Sequence, residues 1–226
     1  MRTLAWPCPA PGGSGEEFAA VAGPDDAPAR VLIVPALFDE ANKTRRLLTQ
    51  TMRLLAAREV ASVLPDLPGC GESLAPLELQ DLDSWRAAVR RAAKHFGASH
   101  HLSIRGGAIQ LPTRGAGWRF EPVGGPSHLR TMVRARTIAA REEGRKESSA
   151  ALLEAGRASG LELAGYRLGA GMVAGLEQAE LPKRSKRPVL TLAELGGEPL
   201  WRRSEPGEDP ALATALAERI AADVKP

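Results

Sequence analysis

With 226 residues, 43% of them apolar and 25% charged, the chain is long enough to bury one sizeable core and is unlike a disordered polymer. Its 30 Lys and Arg against 27 Asp and Glu leave a formal charge of +3, with no sustained basic helix, zinc-finger spacing or RNA-binding aromatic signature, so nucleic acid is not an expected partner. Two widely separated cysteines argue against a disulfide framework, no run of about 18 apolar residues spans a membrane, and prolines interrupt the opening where a signal peptide needs an unbroken apolar stretch; a cytoplasmic protein without metal or cofactor is expected.

After the Pro/Gly-rich opening, 15–23 reads as an edge strand and 29–37, ARVLIVPAL, as a buried parallel strand. The segment 35–46, PALFDEANKTRR, reads as a polar loop at the carboxyl end of a central strand, where open α/β sheets place ligands. Glu40, Asn42, Lys43, Arg45 and Arg46 are its candidate binding residues; the alternative is a helix cap with surface pairs at helical spacing. A helix over 44–58 and a strand over 60–67 complete a right-handed βαβ crossover. The turn PDLPGCGES, 65–73, follows, with Asp66 at the strand end and Cys70 as a thiol for which the sequence shows no partner base.

Further along, the pattern predicts a helix over 82–97 stopped by Gly97, a third strand in HHLSIRG and only a short helix before Pro112. A strand at 118–123 and helices at 127–140 and 146–158 come next, then a strand at 161–168 and a helix near 169–181. The basic run KRSKR at 183–187 reads as a solvated loop, 188–195 as a strand, and 209–224 as a closing helix with Asp209 as N-cap and Pro210 in the first turn. The alternation predicts one α/β domain over 1–226: three layers around a mostly parallel central sheet.

The segment SIRGG, 103–107, has the small residues at minus two and plus two that a nucleophile elbow needs, but its centre is Arg105. Ser103 cannot take that role, because His101 and Arg105 would then occupy the positions that must be small; it reads as a packing residue. A guanidinium stays protonated and cannot attack a carbonyl. The four histidines, His95, His100, His101 and His128, all precede the C-terminal third, where a triad of this order would draw its base, so Ser-His-Asp chemistry is not expected. If the turn is kept, the N–H of Gly106 and one from Leu37 or Phe38 would form a two-donor cradle, and with Arg105 a receptor for the carboxylate or phosphate of a small or acyl-type ligand. The alternative is that Arg105 pairs internally with Glu40, Asp66 or Glu121, since a buried charge without a partner is costly.

VLIVPALFDEANKTRRLL, VLPDLPGCGES, SIRGGA, WRFEPVGGPSHLRTMVRAR, LELAGYRL and GEPLWRRSE, in that order, resemble the type 2 hydrolases associated with the exosortase A system, a bacterial branch of the α/β-hydrolase superfamily. The resemblance implies a hydrolase-like α/β/α fold and a cytoplasmic protein encoded beside protein-sorting and exopolysaccharide machinery. It makes Arg105 the family's elbow residue, with Ser103 in place of a first glycine, and puts Glu40, Asn42, Lys43, Arg45 and Arg46 at matching positions without assigning a catalyst. The chain departs from the usual fold between Leu181 and Pro188, where a strand and helix are expected, so the sheet should be reduced at its C-terminal end. Three functions stay open. One is an accessory protein that binds an anionic or acyl ligand. Another is an ester or thioester hydrolase with an unrecognised nucleophile, for which Cys70 is the only thiol near the expected edge. The last is an interaction module, including a homo-oligomer.

Overall fold

The computed structural model describes residues 1–10, 13–112 and 115–224. Its strands are β1 (Arg2–Ala10), β2 (Gly13–Ala22), β3 (Arg30–Val34), β4 (Ala61–Pro65), β5 (His100–Ile104), β6 (Gly117–Phe120), β7 (Leu161–Leu163), β8 (Tyr166–Leu168) and β9 (Val189–Leu190). The α-helices are α1 (Asp39–Ala56), α2 (Leu82–His95), α3 (Gly125–Glu142), α4 (Ser149–Ser159), α5 (Ala170–Gln178), α6 (Leu192–Leu195) and α7 (Pro210–Val224).

Side-chain alternation in β3 shows why it lies inside the sheet. Val31 and Ile33 enter one apolar layer with Leu47, Leu48 and Met52 of α1 and Leu212, Leu216 and Ile220 of α7. Leu32 and Val34 enter the opposite layer with Trp85 and Ala88 of α2. A strand apolar on both faces needs cover on both, and the crossover helices supply it. The main sheet runs β1-β2-β4-β3-β5-β6-β9, antiparallel across β1-β2-β4 and parallel from β4 to β9. Between β6 and β9 the chain inserts α3, α4, the β7–β8 pair and α5, whose Leu129, Met132, Leu163 and Met172 join the α2-side layer. Among the described residues, no helix is long and apolar enough to cross a membrane.

The sheet is mostly parallel and ends at the two-residue β9, the reduced C-terminal end expected from the sequence. Several elements differ. The edge strand is β1, formed by the opening residues, and 15–23 lies within β2 one place further in. Pro7 and Pro9 lack N–H groups, so they can stand only where β1 faces away from β2; they deny the outer edge two donors. Residues 161–168 form a hairpin instead of one strand, because Ala164 and Gly165 both take positive φ, 48° and 80°, and turn the chain back. The strand expected over 188–195 stops at Leu190. There Thr191 and Glu194 close a capping box, the Thr191 N–H donating to Glu194 Oε2 at 3.0 Å, and the chain enters α6. The basic run is not wholly solvated: Arg187 is buried and its Nη1 donates to the Pro112 carbonyl at 2.6 Å.

Most of the segment 35–46, expected to be a polar loop, is helical. Helix α1 starts at Asp39, so Glu40, Asn42, Lys43, Arg45 and Arg46 lie on its first two turns. Asp39 and Glu40 occupy the first turn, where the helix dipole favours negative charge, and Lys43 Nζ sits 2.6 Å from Asp39 one turn on.

Candidate functional site

At the end of β5 the chain turns sharply. Arg105 has φ of 50°, and a 3-10 turn over Arg105–Gln110 takes the place of a full helix. Small residues are required here: a Cβ on Gly107 would lie 2.4 Å from the Pro35 carbonyl oxygen, and one on Gly106 would lie 2.8 Å from Leu37 Cγ. The elbow packs tightly against the segment leading from β3 into α1, which brings Leu37 beside Gly106. Ser103 is fully buried, with its Oγ 3.5 Å from the Trp118 carbonyl.

Arg105 folds over this junction. Its Nε donates to Glu40 Oε2 at 3.1 Å, its Nη2 to Glu40 Oε1 at 3.2 Å, and its Nη1 to the Glu121 carbonyl at 3.0 Å. Three of its five N–H donors are thereby committed. The guanidinium carbon lies 4.4 Å from the centre of the Trp201 ring, a cation–π contact. Both members of the ion pair are nearly enclosed, with Arg105 15% and Glu40 13% exposed. Of the three carboxylates considered as partners, only Glu40 pairs with Arg105. Asp66 binds Arg45 Nη1 at 2.6 Å, and the Glu121 carboxylate accepts from the Leu192 N–H at 2.8 Å.

A histidine does reach this position. His128, near the start of α3, is 5% exposed, and its Nδ1 stands 3.9 Å from Glu40 Oε1. Its ring lies 5.7 Å from that of Phe38. Burial pushes the imidazole below the ordinary histidine range; Arg105 adds to that, while Glu40 and Asp39 oppose it. Chain order hid this residue, because it arrives on the inserted helices and not after the last strand.

Phe38 divides two cavities. It is buried, with φ of 52° and ψ of −126°, a backbone conformation normally left to glycine, and its ring packs 5.5 Å from those of both Trp85 and Tyr166. On one side lies a cavity of about 510 Å³ lined by Glu40, Lys43, Arg105, His128, Trp201 and Arg202, among others. On the other lies one of about 300 Å³ lined in part by Asn42, Arg45, Asp66, Cys70 and Tyr166. The helical turn of α1 thus sorts the polar candidates: Glu40 and Lys43 face the larger cavity and Asn42 and Arg45 the smaller, while Arg46 pairs with Glu208 at 2.6 Å. Burial, with the charges of Asp66 and Glu17, raises the Cys70 thiol to about 12, which leaves it protonated and a poor nucleophile at neutral pH. Among the described residues, no three His, Cys, Asp or Glu side chains come together as a metal-binding group.

No protein-family model matches the chain, and no curated protein matches it. Solved structures do. A candidate hydrolase of Agrobacterium vitis S4 is 15% identical with a TM-score of 0.56, covering 99% of both chains. An esterase of Thermogutta terrifontis, solved with malate, is 12% identical with a TM-score of 0.54, over 99% of this chain and 97% of its own. The bottromycin epimerase BotH, solved with bottromycin A2, is 16% identical with a TM-score of 0.50, over 98% of this chain and 99% of its own. The fold of this chain is that of the α/β-hydrolases.

Proposed function

We propose that this α/β-hydrolase-fold chain is a single-domain, cytoplasmic relative of the type 2 hydrolases associated with the exosortase A system, and that it binds a small anionic or acyl-type ligand as an accessory protein without Ser-His-Asp chemistry. The observation that carries this reading is Arg105 at the elbow, positive in φ like the attacking residue of such turns, yet cationic and committed to Glu40. Neighbours of the same fold include an esterase and an epimerase, so the fold leaves the chemistry open and the site must decide it.

The larger cavity suits a ligand with one anionic group and an apolar body. Asp39 offsets Lys43 and Glu40 offsets Arg105, which leaves Arg202, exposed at the rim, as the surplus positive charge of the lining. Phe38, Val123, Met132 and Trp201 supply apolar wall. The N–H groups of Phe38 and Gly106 are the proposed cradle for a carbonyl or carboxylate oxygen. Exopolysaccharide or protein-sorting machinery is the class of partner that the family resemblance suggests.

Binding and turnover test the reading together. Octanoate and octyl phosphate should shift amide resonances of residues around the larger cavity, and a panel of activated esters and thioesters should not be turned over faster than in buffer. Ester or thioester turnover lost in Arg105→Ala would make the protein an enzyme, and failure of every anionic probe to bind would remove the ligand.

A further inference from the structure

The larger cavity is lined by a buried imidazole, that of His128. A histidine buried for structural reasons alone normally satisfies both ring nitrogens. In His128, Nδ1 faces the Glu40 carboxylate, while Nε2 is buried and has no hydrogen-bond partner among the described residues. Glu40 is itself held by two donors of Arg105, and the imidazole is confined between that carboxylate and the Phe38 ring. The order Arg105, Glu40, His128 is thus a chain of orientation: a guanidinium fixes a carboxylate, and the carboxylate faces one imidazole nitrogen and leaves the other uncommitted.

We propose that His128 is a proton-transfer residue acting on the carbon beside the carbonyl of an acyl anion held in this cavity, with Glu40 as its positioning carboxylate. The substrate class is a small carboxylate bearing a ketone or thioester next to an acidic C–H. In the forward step the C–H bond breaks and an N–H bond forms at Nε2. The electron pair of the C–H bond moves onto the carbonyl oxygen to give an enolate, whose charge is offset by Arg202, the cation of the lining not already paired with Asp39 or Glu40. The reverse step returns a proton from Nε2 to the same carbon, so nothing is oxidised and no group leaves.

The electrostatics favour this shuttle. Burial keeps the resting imidazole neutral and able to accept a proton. Once protonated it faces Glu40 at 3.9 Å, with Asp39 nearby, and these two stabilise the imidazolium against burial and Arg105.

The inference rests on the ligand class proposed above, and the experiment separates the two. 2-Oxooctanoate is incubated with the protein in D₂O, and NMR follows both its binding and the loss of its C3 protons. The expected result is binding, with exchange about 100-fold faster than in buffer. His128→Gln should abolish the exchange. The rate should rise with pH through the ionisation of a histidine whose midpoint lies below the ordinary value. Glu40→Gln should move that midpoint lower still, because it removes the carboxylate that favours the imidazolium; a purely structural role would leave the midpoint in place. Should either variant fail to fold, ring ¹⁵N shifts of the wild type decide: an unprotonated Nε2 with the proton on Nδ1 is expected, and a proton resident on Nε2 of the neutral ring would overturn the proposal. Binding without exchange, exchange that survives His128→Gln, or thioester hydrolysis without exchange would each overturn it while leaving ligand binding intact. No binding of any anionic acyl probe would overturn both.

Discussion

Arg105 and Glu40 form the contact on which the site is built. A buried ion pair contributes little net stability, but removing one partner strands the other charge at a cost of about 3–5 kcal/mol, whereas replacing both with apolar side chains is often close to neutral. Arg105→Met and Glu40→Leu should therefore each lower the unfolding free energy by about 3 kcal/mol, and the double variant should lose much less than the two together, as read from urea denaturation. Additive losses would mean that the contact is incidental. Arg105 was legible in the sequence because only one residue of SIRGG has small neighbours on both sides, and Glu40 was one of three carboxylates within its expected reach. His128 was not legible. Nothing in its spacing ties it to the elbow; α3 carries it there, and the position of that helix depends on packing of Leu129 and Met132 into the α2-side layer.

Elements with a continuous apolar pattern were read with little error: β3, β4, β5, α2 and α7 all lie within the expected segments, and the stop at Gly97 coincides with a φ of 63°. Misreadings fell where a local device overrides periodicity. The Thr191–Glu194 capping box cuts β9 short, the Ala164–Gly165 turn splits one strand into two, and α1 begins five residues early without any side-chain N-cap to announce it. The start of α1 matters most, because it turns a presumed loop into a helical face that distributes its side chains between two cavities. The elbow depends on a close approach of the same kind. Gly107→Ala would press a Cβ against the carbonyl oxygens of Val34 and Pro35, at 2.7 and 2.4 Å, and the backbone there cannot yield as a flexible side chain would. A loss of about 1–3 kcal/mol is expected in thermal or urea unfolding, together with shifted resonances for Arg105 and Glu40. An alanine tolerated without either change would show that the elbow is not as tightly packed as described.

Over the whole molecule, strand order and layering follow from the alternation of apolar runs and amphipathic helices, and they agree with α/β-hydrolase neighbours matched along almost their full length. Chemistry does not follow from that agreement, since the fold is shared by proteins described as an esterase and an epimerase. In this chain a cation occupies the elbow, the serine two residues before it is buried, and burial raises the Cys70 thiol so that it stays protonated at neutral pH. Intact-protein mass spectrometry after incubation with a fluorophosphonate and, separately, with an activated acyl thioester tests this most directly. The mass should be unchanged in both cases, whereas a stoichiometric adduct on any serine or cysteine lining either cavity would show that a nucleophile is present after all and would contradict the account.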